Sequence, residues 1–333
     1  MLGDDVFNHS WIPNQRIDTP HFADRGVPPY TRYVNSQGWL STYDFAKDKP
    51  EGTYRIAYVG DSFVEGTCAE EDSLPSRVQR GLVVPGKGTI EVMNTGTSSY
   101  SPTLYYILLS KKLLDFHPDL VVINVDMTDV FDDTIYRVTL KLDERGDPDM
   151  CPAGHPAIST HRRTEKGLEP ITPLQRVLLF SQNHSALMRM LLDVASQLKR
   201  KRKVSGQDVA PQAFAWCGTE RPPQTQRDVE WSMDILRRTI QLVKGRGVKV
   251  VVTAVPHLQQ LQGKWSLQPM KDIAEVCAQE NVPFLDPVKE FNSRLRSNPP
   301  ETLYIPDDMH FNPNGYRMWA EIQLEFLNSL GLP

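Results

Sequence analysis

Four short, mostly apolar runs constrain the fold of this 333-residue chain more than any other feature. They are YRIAYVG (54–60), TIEVMN (89–94), DLVVINV (119–125) and VKVVVTAV (248–255), with a weaker fifth candidate at VPFLD (282–286). Runs of this length and composition are typical of strands that are buried on both faces. The sequence therefore predicts a sheet of about five strands in the core.

Helical patterns separate these runs, at 73–82, 103–115, 226–244, 268–279 and 314–327. Strands that alternate with helices are joined by right-handed crossovers and form a parallel sheet with helices on both faces. We therefore expect a three-layer α/β/α sandwich. In such sheets, ligands bind beyond the carboxyl ends of the strands.

The alternation of strands and helices also suggests how the chain is divided. Residues 1–53 are rich in Pro, Asn, Asp and Gly and predict an irregular N-terminal arm. The main domain is expected at 54–333, with an insertion at about 134–225 that contains Pro-rich loops and one or two helices. Because the insertion follows the third strand, we expect it at the rim of the site.

Composition narrows the classes of ligand and compartment. The net charge of −4 is spread without a dominant basic face, which argues against nucleic acid and favours a small or neutral substrate. Four widely spaced cysteines show no metal-binding spacing and favour a reducing, cytoplasmic compartment, although two disulfides stay open. Neither a signal peptide nor a membrane span is predicted, so we expect a soluble protein.

Ser62, in the stretch YVGDSFVEG (58–66), lies between the first predicted strand and what resembles the first turn of a helix. A serine at such a turn can present its hydroxyl at the carboxyl edge of the sheet as a nucleophile, or it can simply cap the helix. The local sequence allows both. A nucleophilic serine requires a histidine base and a carboxylate that orients the histidine.

The stretch LYIPDDMHFNPNGY (303–316) offers such a pair immediately before the C-terminal helix. Asp307 precedes His310 by three residues, and on one turn this spacing would let the carboxylate reach Nδ1 while Nε2 faces outward. Asp308 is the rival orienting carboxylate. The alternative for the whole stretch is a surface turn that caps the last helix.

Stabilisation of an oxyanion requires hydrogen-bond donors close to the serine. The stretch NTGTSSYS (94–101) follows the second strand, and its Gly96 allows the backbone to approach closely enough to present an N–H group. The stretch VDMTDVFDD (125–133) follows the third strand and reaches the same edge. The alternative for Gly96 is that it is merely a turn glycine.

Taken together, GDSFVEG (60–66), NTG (94–96) and DDMH (307–310) resemble the blocks of the GDSL/SGNH hydrolase superfamily. The resemblance implies a flavodoxin-like fold and an ester hydrolase that needs no cofactor and no metal. It implies Ser62 as nucleophile and first oxyanion donor, Gly96 as second donor, His310 as base and Asp307 as its partner. Where the family usually has an Asn that completes the oxyanion hole, this chain has Thr128, and we expect its shorter hydroxyl in that place as the third donor.

The resemblance leaves the substrate open. It implies hydrolysis of O-acyl esters, of carbohydrate or lipid type, through an acyl-serine intermediate, with a glycan as a possible partner. Two alternatives remain: an O-acyltransferase that passes the acyl group to a glycan, and a catalytically weakened binding protein that keeps the fold. Four tryptophans are candidates for stacking on sugar rings, with packing as the alternative: Trp11, Trp39, Trp216 and Trp231.

Overall fold

A computed structural model of the chain describes residues 1–19, 22–153, 161–164, 167–170, 211–296 and 298–332. Its centre is a sheet of five parallel strands, β5 (Thr53–Val59), β6 (Thr89–Asn94), β7 (Leu120–Val125), β12 (Lys249–Ala254) and β13 (Phe284–Leu285). Each predicted apolar run forms one of these strands, and the weakest run forms the shortest strand. The prediction of a five-stranded parallel sheet is therefore confirmed.

The order of strands across the sheet is β6, β5, β7, β12, β13. Numbered by their sequence in the chain, these five strands run 2-1-3-4-5, which is the flavodoxin-like order. Every residue of β5 and of β7 is buried. Both strands lie inside the sheet and are covered on both faces, which explains why their sequences are continuously apolar rather than alternating.

Helices cover both faces of the sheet, as predicted for a three-layer sandwich. On one face α3, α4, α5 and α7 pack together, whereas α2, α8 and α9 pack together on the other. The helices are α1 (Ser62–Glu65), α2 (Leu74–Gly81), α3 (Pro102–Lys111), α4 (Asp129–Tyr136), α5 (Pro223–Gly245), α6 (Leu258–Leu261), α7 (Gln268–Gln279), α8 (Pro287–Leu295) and α9 (Pro313–Ser329).

Five of these helices match the predicted patterns closely, and the predicted end of α3 is a separate 3-10 turn at Leu113–Phe116. Only the first turn of α1 was predicted, and helices α4, α6 and α8 were not predicted. Helices α1, α4 and α6 have eight residues or fewer, too short for a periodic pattern. Helix α8 carried a local signal, because Asp286 caps it by accepting the Val288 N–H and Pro287 begins it.

Small antiparallel pairs lie outside the central sheet. Residues 1–53 contain β1 (Leu2–Asp4) paired with β2 (Asn8–Ser10), and β3 (Gln15–Thr19) paired with β4 (Tyr30–Val34). The predicted insertion contains β8 (Lys141–Leu142) with β9 (Pro148–Met150), and β10 (His161–Thr164) with β11 (Gly167–Pro170). Its predicted helices fall largely outside the described residues, and the division into arm, domain and insertion stays a prediction.

All four cysteines are buried and free, so no disulfide links any of them. Burial raises the thiol pKa of each one: Cys68, Cys151, Cys217 and Cys277. Raised thiol pKa values keep these groups protonated and unreactive.

Phe311 anchors the loop before α9 to the core. Its ring is fully buried and lies 5.4 Å from the Phe63 ring and 5.5 Å from the Phe291 ring, which it stacks upon. Tyr304 pairs with Phe311 in a short antiparallel bridge, and the two rings are 5.0 Å apart. The residue before Phe311 is His310, so this packing fixes the position of that histidine over the sheet.

We expect Phe311→Ala to lower the free energy of unfolding by about 3–5 kcal/mol, because the substitution removes a fully buried ring and leaves a cavity among other rings. Urea denaturation followed by circular dichroism measures the change. Val83→Ala is the matched control on a side chain that is 76% exposed, and it should stay within about 0.5 kcal/mol of wild type. Equal stabilities for the two variants would contradict the proposed anchoring.

Candidate active site

Ser62 lies where β5 ends and α1 begins, at the carboxyl edge of the sheet. Asp61 caps the helix, because its Oδ1 accepts the Phe63 N–H at 3.0 Å. Gly60 makes the turn possible: a Cβ at this position would lie 2.3 Å from Val64 Cγ2. The capping role predicted as an alternative for Ser62 thus belongs to its neighbour, and the Ser62 hydroxyl is left for other contacts.

His310 meets Ser62 directly. Its Nε2 lies 2.8 Å from Ser62 Oγ, and its Nδ1 lies 2.6 Å from Asp308 Oδ1. A carboxylate that accepts the Nδ1 hydrogen leaves Nε2 as an acceptor, so the Ser62 hydroxyl donates to Nε2. The structure therefore brings together the serine and the histidine that the sequence predicts, in the geometry of a nucleophile and its base.

The carboxylate that contacts His310 in the structure is Asp308, not the predicted Asp307. Ile305 and Asp308 close a turn through the Asp308 N–H, with Pro306 second and Asp307 third at φ +56°. Proline followed by a residue with positive φ is typical of a type II turn. This turn leaves Asp307 exposed and aims Asp308 back at the ring, where its Oδ1 also accepts the His310 N–H at 2.9 Å.

The environment of Asp308 favours its ionised form. Burial acts to raise the pKa of this carboxyl, but the hydrogen bonds and the charge of His310, together with Arg25, outweigh burial and lower the pKa below its ordinary value. The Arg25 Nη1 atom lies 4.0 Å from Asp308 Oδ2. Asp308 can therefore hold the imidazole tautomer and stabilise the imidazolium that forms when the base accepts a proton.

Gly96 packs against the C-terminal end of α1, the short helix that begins at Ser62. A Cβ at this position would lie 2.2 Å from the Glu65 N atom, so only glycine allows this approach. The Gly96 N–H donates to Asn94 Oδ1 at 3.1 Å. A substrate oxyanion would have to share or replace that hydrogen bond. The Ser62 N–H is the first of α1 and has no acceptor within the helix.

Thr128 does not have the role predicted for it. Its hydroxyl donates to Asp126 Oδ2 at 2.6 Å, and its backbone N–H donates to the same oxygen at 2.9 Å. The Asp126 carboxylate is fully buried and requires donors, since an unpaired buried charge is costly. The Thr128 hydroxyl hydrogen is therefore bonded to Asp126 in this structure and is not free to serve as the predicted oxyanion donor.

His257 is a second buried histidine beside the site, and it was missed from the sequence. Its Nε2 lies 2.7 Å from Asp126 Oδ1, and its backbone N–H donates to Gln260 Oε1 at 3.0 Å. Because the Asp126 carboxylate can only accept, the ring carries a hydrogen on Nε2 and donates it to Asp126. A signal was present, because the histidine follows β12 closely at the same edge of the sheet.

Three fully buried carboxyl groups lie beneath Ser62: Asp61, Asp126 and Asp129. Burial and neighbouring carboxylates raise the pKa values of Asp61 and Asp129 well above the ordinary range. Burial also acts to raise the pKa of Asp126, but His257 and Thr128 outweigh it and lower this pKa to about 2. The group thus holds one carboxylate beside two carboxyls that retain their protons more readily.

Within the described part of the chain, these three groups form the cluster whose oxygens lie close enough together to share a cation. Metal ions bind the deprotonated form of a carboxyl and lower its pKa on binding. The raised pKa values of Asp61 and Asp129 therefore describe the cluster with no ion bound. Asp129 Oδ2 already accepts the Tyr105 hydroxyl and the Asp126 N–H, each at 3.1 Å.

Two of the four tryptophans considered for sugar stacking are core residues. Trp39 is 4% exposed and packs edge-on against Phe116 at 4.8 Å. Trp216 is 1% exposed and donates its Nε1 hydrogen to Asp272. Trp11 and Trp231 are partly exposed, and an arginine lies over the ring of each.

No protein-family model matches this sequence, and no curated protein sequence matches it. Several solved structures are similar. A lipase/acylhydrolase from Enterococcus faecalis has a TM-score of 0.42 and 14% identity, over 83% of this chain and 96% of that one. An acetylxylan esterase from Geobacillus stearothermophilus has a TM-score of 0.46 and 14% identity, over 84% and 95% of the two chains.

A two-domain esterase active on acetylated mannans has a TM-score of 0.45 and 12% identity, over 84% of this chain and 52% of that one. In the parts of the chain that are described, no helix combines the length and apolar character that crossing a bilayer requires.

The raised pKa of Asp129 predicts a pH-dependent stability. Above about pH 4 the unfolded chain loses this proton while the native state keeps it, so the native state loses stability as pH rises towards the folded pKa. The Asp129→Asn variant has no such dependence. Its stability relative to wild type should therefore increase as pH rises above about 4, until the folded pKa of Asp129 is passed, by up to about 1.4 kcal/mol per pH unit.

Urea denaturation at several pH values measures this difference. Asp126→Asn is the matched control, and its effect should have the opposite sign. The pKa of Asp126 is lowered, so its carboxylate stabilises the fold at neutral pH and loses this contribution only in acid. The Asp126→Asn variant should therefore be less stable than wild type at pH 7. A constant offset between Asp129→Asn and wild type at every pH would contradict the assignment of a retained proton to Asp129.

Proposed function

We propose that this chain is a serine esterase of the SGNH hydrolase type, which hydrolyses O-acyl esters through an acyl-serine intermediate. The chief support is the continuous set of hydrogen bonds from Ser62 Oγ to His310 Nε2, at 2.8 Å, and from His310 Nδ1 to Asp308 Oδ1, at 2.6 Å. These atoms lie at the carboxyl edge of the sheet, where ligands bind in this class of fold.

In the proposed reaction, Ser62 Oγ attacks the ester carbonyl carbon as His310 Nε2 takes its proton. Asp308 holds the ring and stabilises the imidazolium. The carbonyl π electrons move onto oxygen, and the Ser62 and Gly96 N–H groups stabilise the resulting anion. Collapse of this intermediate breaks the bond to the alcohol, which leaves with the proton from His310. Water activated by the same histidine then releases the acid and restores Ser62.

The departure at Thr128 bears on the rate. Because the Thr128 hydroxyl donates to Asp126, the proposed oxyanion hole has only two backbone donors. One of them, the Gly96 N–H, is already bonded to Asn94. The loss of one donor costs about 10²–10³-fold in turnover in other serine hydrolases. Slow hydrolysis is therefore the expected behaviour, and a weakened enzyme that mainly binds its ligand is the second candidate that this geometry favours.

A fluorophosphonate probe tests the proposal directly, because it labels serines that a base activates. Wild type should be labelled stoichiometrically at Ser62 and should hydrolyse a simple acetyl ester, whereas Ser62→Ala should do neither while keeping its stability. His310→Ala should lose as much activity as Ser62→Ala, and the double variant should be hardly worse. A folded wild type that resists the probe would favour the binding protein, and faster acyl release with an added glycan would favour a transferase.

The two neighbouring aspartates give a sharper test of the proposed set. Asp308→Asn should lower kcat by about 10³–10⁴-fold, because an amide cannot both hold the reactive tautomer and stabilise the imidazolium. Asp307→Asn is the matched control, and it should stay within about threefold of wild type, since Asp307 is exposed and Asn tolerates positive φ. Steady-state kinetics on one acetyl ester measures both. A larger loss at Asp307 would restore the three-residue spacing and contradict the geometry.

A further inference from the structure

Glu65 is a buried charged residue beside the nucleophile that the proposed reaction does not use. It is 7% exposed and ends the short helix α1 that begins at Ser62. Its Oε2 atom accepts the Ser98 N–H at 2.8 Å and the Ser98 hydroxyl at 2.7 Å. Glu65 therefore ties the helix of the nucleophile to the loop that follows β6 and carries Gly96.

The positive partner of Glu65 comes from the N-terminal arm. Arg32, in β4, is 6% exposed and its Nη1 lies 3.0 Å from Glu65 Oε1. The same nitrogen donates to the Gly66 carbonyl at 2.6 Å. The Arg32 guanidinium also lies over two aromatic rings of the arm, 5.6 Å from the centre of the Trp11 ring and 5.6 Å from the centre of the Tyr30 ring. The arm thus holds the arginine in place and presents it to α1.

We propose that Arg32 is a positioning residue of the active site: through Glu65 it fixes the Gly96 loop against the nucleophile helix, so that the N-terminal arm is part of the catalytic apparatus. This inference rests on the proposed esterase function. No other described contact neutralises Glu65 with a full positive charge. Without Arg32, the buried carboxylate would be uncompensated and would be driven towards water.

The geometry explains why such a movement would affect the reaction. Gly96 already approaches the backbone of α1 as closely as glycine allows, because a Cβ there would lie 2.2 Å from Glu65 N. A displaced Glu65 would carry Ser98 with it and pull the Gly96 N–H away from the oxyanion position. An error of about 1 Å in the placement of a reacting or stabilising group costs on the order of 10²-fold in rate.

A second contact of the arm supports the same assignment independently. Arg25 lies in the turn Ala23–Arg25, and its Nη1 donates to the carbonyl oxygens of Pro306 at 3.4 Å and Asp307 at 3.3 Å. These carbonyls belong to the turn that aims Asp308 at His310. The arm therefore contacts both the nucleophile side and the base side of the site, each through an arginine.

The experiment compares kcat, KM and stability for Arg32→Met, Arg32→Lys, Glu65→Gln and the double variant Arg32→Met/Glu65→Gln on one acetyl ester. Arg16→Gln is the matched control, because Arg16 also lies in the arm but has a side chain that is 62% exposed. Arg32→Met should lower kcat by about 10²-fold with KM within about threefold. Arg32→Lys should lose less, and the control should equal wild type.

The double variant carries the decisive result. Glutamine at position 65 keeps an oxygen that can accept from Ser98 and leaves no buried charge, so the double variant should recover most of the kcat lost by Arg32→Met. A residue that only supports packing would give no such recovery. A double variant as slow as Arg32→Met, or an Arg32→Met variant with wild-type kcat, would overturn the inference.

Hydrogen exchange of the peptide 94–100 gives a readout that does not depend on turnover. It should be faster in Arg32→Met than in wild type and unchanged in Arg16→Gln, and unchanged exchange in Arg32→Met would overturn the inference. If Arg32→Met does not fold, Arg32→Lys and Ser98→Ala provide the same comparison. If wild type is neither labelled by the fluorophosphonate nor active on esters, the proposed function fails, while the exchange result still decides whether Arg32 fixes the loop.

Discussion

The parallel pairing of β5 with β6 and β7 is the constraint on which the site depends. Tyr58 lies opposite Asn94, and Val59 lies opposite Ile123, so the chain leaves the three strands at one edge of the sheet. The nucleophile turn, the glycine loop and the Asp126 carboxylate therefore meet without any further element to bring them together. Only the acid–base loop must be delivered from elsewhere, and the packing of Phe311 delivers it.

A buried network joins two features that look unrelated in the sequence. Thr128 stands where an amide is expected, and His257 is a histidine without an obvious partner, but both donate to Asp126. Each donor lowers the cost of keeping that carboxylate ionised inside the protein. The departure at Thr128 is thus explained by the charge beneath the site, which takes the hydroxyl that an oxyanion would otherwise use.

The strands could be predicted, because burial on both faces leaves a continuous apolar run in the sequence. Ser62 and His310 could also be predicted, because each lies in a short sequence block with a recognisable pattern. The partner of His310 could not be assigned from spacing. Whether Asp307 or Asp308 faces the ring depends on one backbone angle in a turn, and sequence spacing alone assumes a regular turn. Helix α4 was hidden because it is only eight residues long and because three of those residues are aspartates, which weaken its apolar pattern.

The long separation in sequence between residues that meet at the site has a consequence for synthesis of the chain. Ser62 and His310 are 248 residues apart, and Arg25 contacts carbonyls 281 and 282 residues further along the chain. A ribosome adds residues from the N-terminus at about 5–20 per second, so the serine emerges long before its base. The nascent chain therefore carries Ser62 without its histidine partner for most of elongation, and the proposed active site can form only after the loop before α9 has been made and has packed against the sheet.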